Sequence, residues 1–211
     1  MYITLDVLRH FGIRTRSEME GDAELLEATD WSGCTGISFR IKGGQRYKAA
    51  DFDIEGDWSA AANFLVAGAI FGSAEIRGLD TSSLQADLTI MDILVEAGAV
   101  VSQLDDGMTV CVRKAPLEAF EMDLNNAPDL FPISAVLAAF CAGESRIAGV
   151  GRLASKESDR ASAILTMLRK MGVEAEIDGD VLSVCGESLS SRICSGRLLE
   201  GGEYSSCHDH R

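Results

Sequence analysis

Residues 58–71 read WSAAANFLVAGAIF, and this nearly continuous apolar run decides the fold of the chain. A helix without a polar face needs neighbours on every side. A second run of the same kind, LFPISAVLAAFC, occupies residues 130–141. The two runs therefore predict two helices that are buried together in the core of one domain.

The sequence around these runs repeats. Each run is followed by a short strand pattern, AEIRGL at 74–79 and SRIAGV at 145–150. Three pairs of identical residues lie 71 positions apart: Gly72 and Gly143, Ile76 and Ile147, and Gly78 and Gly149. Self-similarity at a fixed spacing is typical of a fold built from repeated units.

The repeat continues beyond the strand with an amphipathic helix pattern. The apolar face of the first helix comprises Leu84, Leu88, Met91, Leu94 and Val95, and that of the second comprises Ala161, Ile164, Leu165, Leu168 and Met171. Each helix ends at a glycine suited to a left-handed C-cap, Gly98 or Gly172. The segments AVVSQLDDGMTVCV and VEAEIDGDVLSVC then predict one hairpin each, so the unit is βαβαββ.

Parts of further copies are found at both ends of the chain. The segment DVLRHFGI at 6–13 matches DILVEAGA at 92–99 and TMLRKMGV at 166–173. Asp209 stands where Asp57 and Asp129 stand before the two apolar runs. A chain that begins and ends inside a repeat is expected to be a truncated portion of a longer protein.

The composition narrows the function. Of the 211 residues 46% are hydrophobic, and the formal net charge of −14 argues against nucleic acid and anionic membranes as partners. No apolar stretch reaches the roughly 18 residues that a membrane span needs. The six cysteines form no C-x-x-C pair, which indicates reduced thiols in a cytoplasmic protein.

The stretch RLASKESDRASAI at 152–164 carries four charges just ahead of an apolar run: Lys156, Glu157, Asp159 and Arg160. One interpretation is a solvated helix start, capped by Ser155 or Ser158, in which the acids complement the helix dipole. The dipole does not favour the two cations, whereas a bound anion would. The residues alone leave both interpretations open.

With these motifs the sequence resembles the enolpyruvyl transferase family, and most closely its shikimate-pathway branch, the 5-enolpyruvylshikimate-3-phosphate synthases. The similarity runs along essentially all 211 residues and is carried by EGDWSAAANFLVAGAI (55–70), PDLFPISAVLAA (128–139), KESDRASAILTMLRKMG (156–172) and HDHR (208–211). It implies an α/β fold, an inside-out α/β barrel of βαβαββ repeats with central buried parallel helices. Residues 1–50 then correspond to the last repeat of an N-terminal domain, and residues 51–211 to two repeats and the start of a third in a C-terminal domain.

The resemblance also implies a reaction, the transfer of the enolpyruvyl group from phosphoenolpyruvate to the 5-hydroxyl of shikimate-3-phosphate with release of phosphate. It implies a monomer without cofactor or metal, whose site is built from two domains, so the chain alone is expected to be inactive. Asp129 matches the base that acts on the attacking hydroxyl. Lys156 matches a lysine that binds shikimate-3-phosphate. The residues matching the phosphoenolpyruvate site are Glu157, which is also the proton donor, Arg160, His210 and Arg211.

Other interpretations remain open for several of these residues. Asp129 also suits an ordinary helix N-cap after Pro128. A zinc site is weakly indicated by three nearby ligand types, Cys207, His208 and His210. Side chains so close together rarely reach one ion, and no second ligand pair is suitably spaced. The stretch TSSLQAD at 81–87 is interpreted as a loop and a helix start.

Three alternative functions are weighed against this reading. A transferase acting on UDP-N-acetylglucosamine shares the fold but lacks K-E-x-D-R, which stands here at 156–160. An RNA 3′-phosphate cyclase-like protein would favour a basic surface. A non-catalytic fragment that binds a small anion is the alternative from another class.

Overall fold

In a computed structural model of the chain, the described residues are 2–21, 34–153 and 160–187. The chain divides into two compact units between Ile54 and Glu55. Within those three ranges no helix has the length and apolar character needed to cross a membrane.

The first unit contains helix α1 (Tyr2–His10) and the strands β1 (Thr15–Gly21) and β2 (Cys34–Ile41). The two strands pair antiparallel, with Thr15 opposite Ile41. Helix α1 ends in the turn at Gly12, whose φ is +79°, and the amide of Ile13 bonds the carbonyl of Leu8. A left-handed glycine with this backbone bond is a common helix C-cap.

The second unit contains four helices and seven strands among its described residues. In chain order they are α2 (Trp58–Phe71), β3 (Ser73–Arg77), α3 (Ile90–Glu96), β4 (Val100–Gln103), β5 (Thr109–Arg113), β6 (Glu121–Asp123), α4 (Phe131–Ala138), β7 (Gly143–Ala148), α5 (Arg160–Lys170), β8 (Glu174–Asp178) and β9 (Val181–Gly186). The second copy, β6 to β9, has the predicted βαβαββ order. The first copy starts at α2, because residues 51–57 hold no strand.

The sheets of the two copies repeat the same arrangement. The first sheet has the strand order β3-β5-β4, and the second has β6-β7-β9-β8. Strands β7, β9 and β8 thus repeat β3, β5 and β4, and β6 adds a parallel strand beside β7. The described strands form open sheets, and no closed barrel is found among them.

The predicted turns and caps of the repeat are confirmed. Strands β4 and β5 pair antiparallel, as do β8 and β9. Gly98 and Gly172 have φ values of +82° and +70°. The amides that follow them bond carbonyls five residues back, from Ala99 to Leu94 and from Val173 to Leu168. All three copies of this helix end, including the one at Gly12, therefore use the same cap.

Helix α2 has the predicted boundaries, but its predicted burial on every side is wrong. Leu65 and Ala69 are fully buried, and the helix contacts α4 in the same unit. One face is exposed and consists of Ala60, Asn63, Phe64, Ala67 and Phe71. These positions lie three or four residues apart and form one stripe. An apolar sequence shows that a helix has no polar face. The number of sides on which other elements cover that helix depends on the fold.

The predicted apolar face of α3 is confirmed in part, since Leu94 is buried and Leu88 and Met91 are half-buried. Leu84 and Val95 are exposed, whereas the buried residues are Ile90, Ile93, Leu94 and Ala97. A 3₁₀ turn at Ala86–Thr89 precedes the helix, and its tighter winding rotates the residues before Ile90 out of phase with those after it. The predicted face of α5 is confirmed, since Ile164 and Leu168 are buried and Ala161, Leu165 and Met171 are half-buried.

Candidate functional site

The candidate site lies at the edge of the second sheet where β6 and β7 both end. These strands are parallel, with Glu121 opposite Arg146 and Asp123 opposite Ala148. Parallel strands have their carboxyl ends at the same edge, where α/β proteins commonly bind ligands. Asp129 lies in the chain after β6, and Arg160 lies after β7.

Asp129 lies in a 3₁₀ turn, Pro128–Leu130, directly before α4. Neither this turn nor α4 has a side-chain cap, and the residues at the two cap positions are Ala127 and Leu130. The interpretation of Asp129 as an ordinary N-cap is therefore wrong. Its carboxylate is 51% exposed and available to a side chain from another element.

That side chain is Arg160, the first residue of α5. Its Nη1 donates to Oδ1 of Asp129 over 3.0 Å, between residues 31 positions apart in the chain. The guanidinium is 38% exposed. A cation at a helix N-terminus opposes the helix dipole, and the carboxylate offsets this repulsion. The pair joins two helix starts into one charged site that solvent can reach.

The other predicted site residues cannot be compared with this geometry. Lys156, Glu157, His210 and Arg211 lie outside the described residues, and so do Cys207 and His208 of the zinc alternative. Within the described ranges, no group of three His, Cys, Asp or Glu residues is placed to hold a metal ion.

The loop that follows β7 is held from two sides. Gly149, at φ +107°, packs so closely on the backbone of Asn125 that an added Cβ would lie 2.9 Å from its nitrogen. Arg152 donates from Nε to the carbonyl of Asn125 over 3.2 Å. On the other side the carbonyl of Asp180 accepts from Gly149 and Val150.

Asp180 also uses its side chain, since Oδ1 accepts from the amide of Gly151 over 2.6 Å. This residue lies in the turn between β8 and β9. Its turn sequence DGD predicts a hairpin, and that prediction carries no information about which loop the carboxylate binds. Sequence reasoning therefore missed Asp180.

Asp57 stands at the start of α2 and does what Asp129 does not. It is the N-cap, and its Oδ1 accepts from the amide and the hydroxyl of Ser59 over 2.9 Å and 2.8 Å. The hydrogen bond from the Ser59 hydroxyl lowers the pKa of Asp57 below its ordinary 3.8, while burial and the negative charge of Asp129 oppose this shift. Helix α2 also contacts the 128–130 turn, so the two aspartates lie near the same end of the unit.

Gln85 holds this start of α2 in place. Its Oε1 accepts from the amide of Trp58 over 3.0 Å, and its Nε2 donates to the carbonyl of Gly56 over 2.9 Å. Trp58 is fully buried and donates from its indole nitrogen to the carbonyl of Asp80 over 3.1 Å. Sequence reasoning treated Gln85 as part of a loop, because its two partners lie 27 and 29 positions away.

Comparison with known proteins identifies the family. The family model for EPSP synthase (3-phosphoshikimate 1-carboxyvinyltransferase) matches residues 2–211. A 3-phosphoshikimate 1-carboxyvinyltransferase of Aeropyrum pernix is 38% identical over 209 residues, which cover 99% of this chain and 42% of that protein. The protein of the same description from Brachyspira hyodysenteriae is 36% identical over 171 residues, 81% of this chain and 39% of that protein. The chain thus spans about two fifths of the length of these curated relatives.

Solved structures are similar in fold. An EPSP synthase from Acinetobacter baumannii has a TM-score of 0.65 at 23% identity, over 88% of this chain and 40% of that one. The enolpyruvyl transferase NikO from Streptomyces tendae has a TM-score of 0.54 at 18% identity, over the same shares. The fold is mixed α/β, as expected. On the match to the family model and the identity to these relatives, the chain belongs to the EPSP synthase family.

Proposed function

We propose that this chain supplies one half of an active site that transfers the enolpyruvyl group of phosphoenolpyruvate to the 5-hydroxyl of shikimate-3-phosphate and releases phosphate. The names of the relatives support this reaction. The observation that carries the proposal within the chain is the ion pair of Asp129 and Arg160 at the carboxyl edge of β6 and β7.

The reaction needs a base for the attacking hydroxyl and a clamp for an anion. The hydroxyl oxygen forms a bond to C2 of phosphoenolpyruvate while C3 gains a proton, which gives a tetrahedral intermediate. Loss of a proton from C3 and cleavage of the C2–O bond to phosphate then restore the C2=C3 double bond, which gives the enolpyruvyl ether and free phosphate. General acid–base groups and fixed cations are suited to both steps.

In this proposal Asp129 accepts the proton of the attacking hydroxyl, and Arg160 holds phosphoenolpyruvate. A guanidinium group presents parallel donors that match carboxylate and phosphate oxygens. Among the described residues Arg160 bonds Asp129 through Nη1 alone, at 3.0 Å, so its other donors can face a substrate anion. Its partial exposure allows a ligand to reach it without unfolding.

The remaining roles rest on the resemblance. Lys156 is proposed to bind shikimate-3-phosphate, and Glu157 to deliver the proton to C3 and contact phosphoenolpyruvate. His210 and Arg211 are proposed to complete the phosphoenolpyruvate site. No cofactor, nucleic acid or membrane enters the proposed reaction, and the cytoplasmic location and the monomeric state stay predictions.

The finer architecture is also a proposal. Residues 1–50 are assigned to the last repeat of an N-terminal domain, and residues 51–211 to two repeats and the start of a third in the C-terminal domain. Together with the rest of the third repeat, residues 51–211 would form an inside-out α/β barrel around parallel buried helices. The matching strand orders of the two described copies support the repeat assignment.

The sharpest test is a chimera in which this chain replaces the matched portion of the Aeropyrum pernix relative. We expect the chimera to release phosphate from shikimate-3-phosphate and phosphoenolpyruvate, and the 211 residues alone to release none. Arg160→Ala should lower kcat/KM of the chimera about a hundredfold, as expected for the loss of one fixed electrostatic donor.

Arg169→Ala is the matched control, because Arg169 is an exposed arginine in the last turn of the same helix. It should leave the rate of phosphate release unchanged. A folded chimera without activity, or equal losses in the two variants, would contradict the proposal.

A further inference from the structure

We propose that Gln85 is a positioning residue of the candidate site: its side-chain amide fixes the backbone of residues 56–58 and thereby holds the start of α2 against the turn that carries Asp129. The inference rests on the proposed function only in taking Asp129 as a site residue.

The first step of the argument is the geometry of the amide. Oε1 accepts from the amide of Trp58, and Nε2 donates to the carbonyl of Gly56, at 3.0 Å and 2.9 Å. The amide of Trp58, as the first of the helix, has no intrahelical partner. One side chain therefore satisfies a donor and an acceptor on either side of Asp57. The backbone of Gln85 is itself held, because its N–H donates to the hydroxyl of Ser83 over 3.0 Å.

The second step is the tight packing around these two hydrogen bonds of Gln85, which together are called the clamp. An added Cβ at Gly56 would lie 2.5 Å from the carbonyl oxygen of Gly78, so the backbone there is tightly packed. The amide of Gly56 bonds that same carbonyl over 2.8 Å. Trp58 is fully buried and anchored through its indole. The position of the Asp57 backbone is thus fixed from both neighbours.

The third step leads from Asp57 to the site. Helix α2 contacts the Pro128–Leu130 turn, and the charges of Asp57 and Asp129 interact. A shift in the first turn of α2 therefore moves a negative charge relative to Asp129 and to its partner Arg160. Gln85 touches neither of these residues and acts on them only through the start of α2.

The chemistry of an amide offers a reversible test. A protonated carboxyl group has one donor and one acceptor, as the Gln side chain does, whereas a carboxylate has acceptors only. In Gln85→Glu the clamp should form when the introduced carboxyl is protonated, below about pH 5 for a half-buried group. At neutral pH the carboxylate would face the Gly56 carbonyl oxygen, and the clamp should be lost.

The experiment is two-dimensional NMR of the full 211-residue chain without ligand, recorded at about pH 4.5 and at about pH 7.5, on either side of the introduced titration. The signals followed are the backbone amides of Trp58 and Asp129 and the Nε–H of Arg160. In Gln85→Glu all three should differ from the unsubstituted chain at the higher pH and return to it at the lower pH. Gln85→Met, which removes both bonds without adding charge, should differ at both pH values.

Gln103→Glu is the matched control, because Gln103 is an exposed glutamine on β4. In this variant the signals of Trp58, Asp129 and Arg160 should match those of the unsubstituted chain at both pH values. If Trp58 follows this pattern while Asp129 and Arg160 do not, Gln85 only caps α2 and the proposal is overturned. If Gln85→Glu fails to fold at neutral pH, the response of Gln85→Met decides in the same way. Because no ligand is present, failure of the proposed function would show instead in the phosphate-release assay of the chimera.

Discussion

The two copies of the repeat share one scaffold and use its equivalent aspartates differently. Asp57 caps α2 by accepting from the Ser59 amide, and Gln85 bonds the amide of Trp58 and the carbonyl of Gly56 at the helix start. Asp129 occupies neither N-cap position of the 128–130 turn or of α4, and it pairs with Arg160 from the start of α5. In the first copy the side chains of Asp57 and Gln85 bond the backbone of the helix start. In the second copy the paired carboxylate and guanidinium are 51% and 38% exposed. Equivalent positions of the repeat thus have different hydrogen-bond partners, and we therefore propose a structural role for Asp57 and a chemical role for Asp129.

The copies also differ in how their central helices are covered. Helix α4 and its flanks, residues 130–141, have no exposed residue, whereas α2 exposes Phe64 and Phe71 at 67% and 64%. On α2 a fully buried residue, Leu65, therefore lies next to an exposed one, Phe64. This contrast allows the largest of the expected effects to be measured with an internal control.

Leu65→Ala should lower the free energy of unfolding by about 2–5 kcal/mol, because Leu65 is fully buried and its loss leaves a cavity. Phe64→Ala, one residue away, should change it by less than about 0.5 kcal/mol. Urea unfolding followed by circular dichroism measures both. Equal losses would mean that the exposed face of α2 is covered in solution.

The loop of the second copy depends on a carboxylate that the hairpin supplies. Asp180→Ala should lower the free energy of unfolding by about 1–2 kcal/mol, since a charge-assisted bond to Gly151 is lost. Hydrogen exchange of the Gly151 amide should become faster. Asp180→Asn keeps an acceptor oxygen and should restore most of the protection. Asp178→Ala, at an exposed site on the same hairpin, is the control and should leave the amide of Gly151 unaffected.

The two equivalent aspartates should differ in their effect on stability. Asp57→Ala removes an N-cap and should cost about 1 kcal/mol, whereas Asp129→Ala removes an exposed ion pair and should cost less than about 0.5 kcal/mol. Thermal unfolding of the two variants measures the difference. A larger loss in Asp129→Ala would contradict the division of roles between the copies.

The contribution of the Asp57 charge should also depend on pH. Its pKa in the folded chain is lowered from 3.8, chiefly by the Ser59 hydroxyl. A lowered carboxyl pKa stabilises the folded chain above the unfolded-state value, and this stabilisation is lost as the pH falls through the lowered value. The stability advantage over Asp57→Asn should therefore be full at neutral pH and vanish in acid. An advantage that does not change with pH would show that only the hydrogen-bond geometry matters.

The smallest expected effect is a difference in reactivity among the cysteine thiols, which involves no change in the stability of the fold. Burial raises the pKa of Cys141 to about 12, so its reactive thiolate is scarce at pH 8. Cys111 on β5 and Cys185 on β9 are half-buried. Iodoacetamide followed by peptide mass mapping should label these two cysteines well before Cys141. Early labelling of Cys141 would contradict the burial of this end of the second copy.

Local patterns predicted much of the fold. The boundaries of α2, the hairpins and the left-handed glycines at Gly98 and Gly172 all depend on residues close in sequence. Part of the buried face of α3 was missed, because Leu84 and Val95, which continue the apolar pattern, are exposed, while Ile90, Ile93 and Ala97 are buried. The 3₁₀ turn at Ala86–Thr89, which the pattern does not report, puts Leu84 out of phase with the helix that follows.

The residues proposed for the site come from the family motif, which does not give their contacts. Asp129 and Arg160 follow the two parallel strands β6 and β7, and their 3.0 Å bond joins residues 31 positions apart. The partners of Gln85 and Asp180 are likewise backbone groups 27 or more positions away. Any residue has such backbone groups, so nothing in the sequence distinguishes the ones that are used.

The central claim is that the two helix starts differ, one closed by its own cap and one open to an anion. Titration of the labelled 211-residue chain with phosphoenolpyruvate, followed by NMR, tests this directly. We predict saturable shifts of the Arg160 Nε–H and the Asp129 amide, little change at Ser59, and loss of the response in Arg160→Ala but not in Arg169→Ala. Shifts centred on Ser59, or a response that survives Arg160→Ala, would contradict the account.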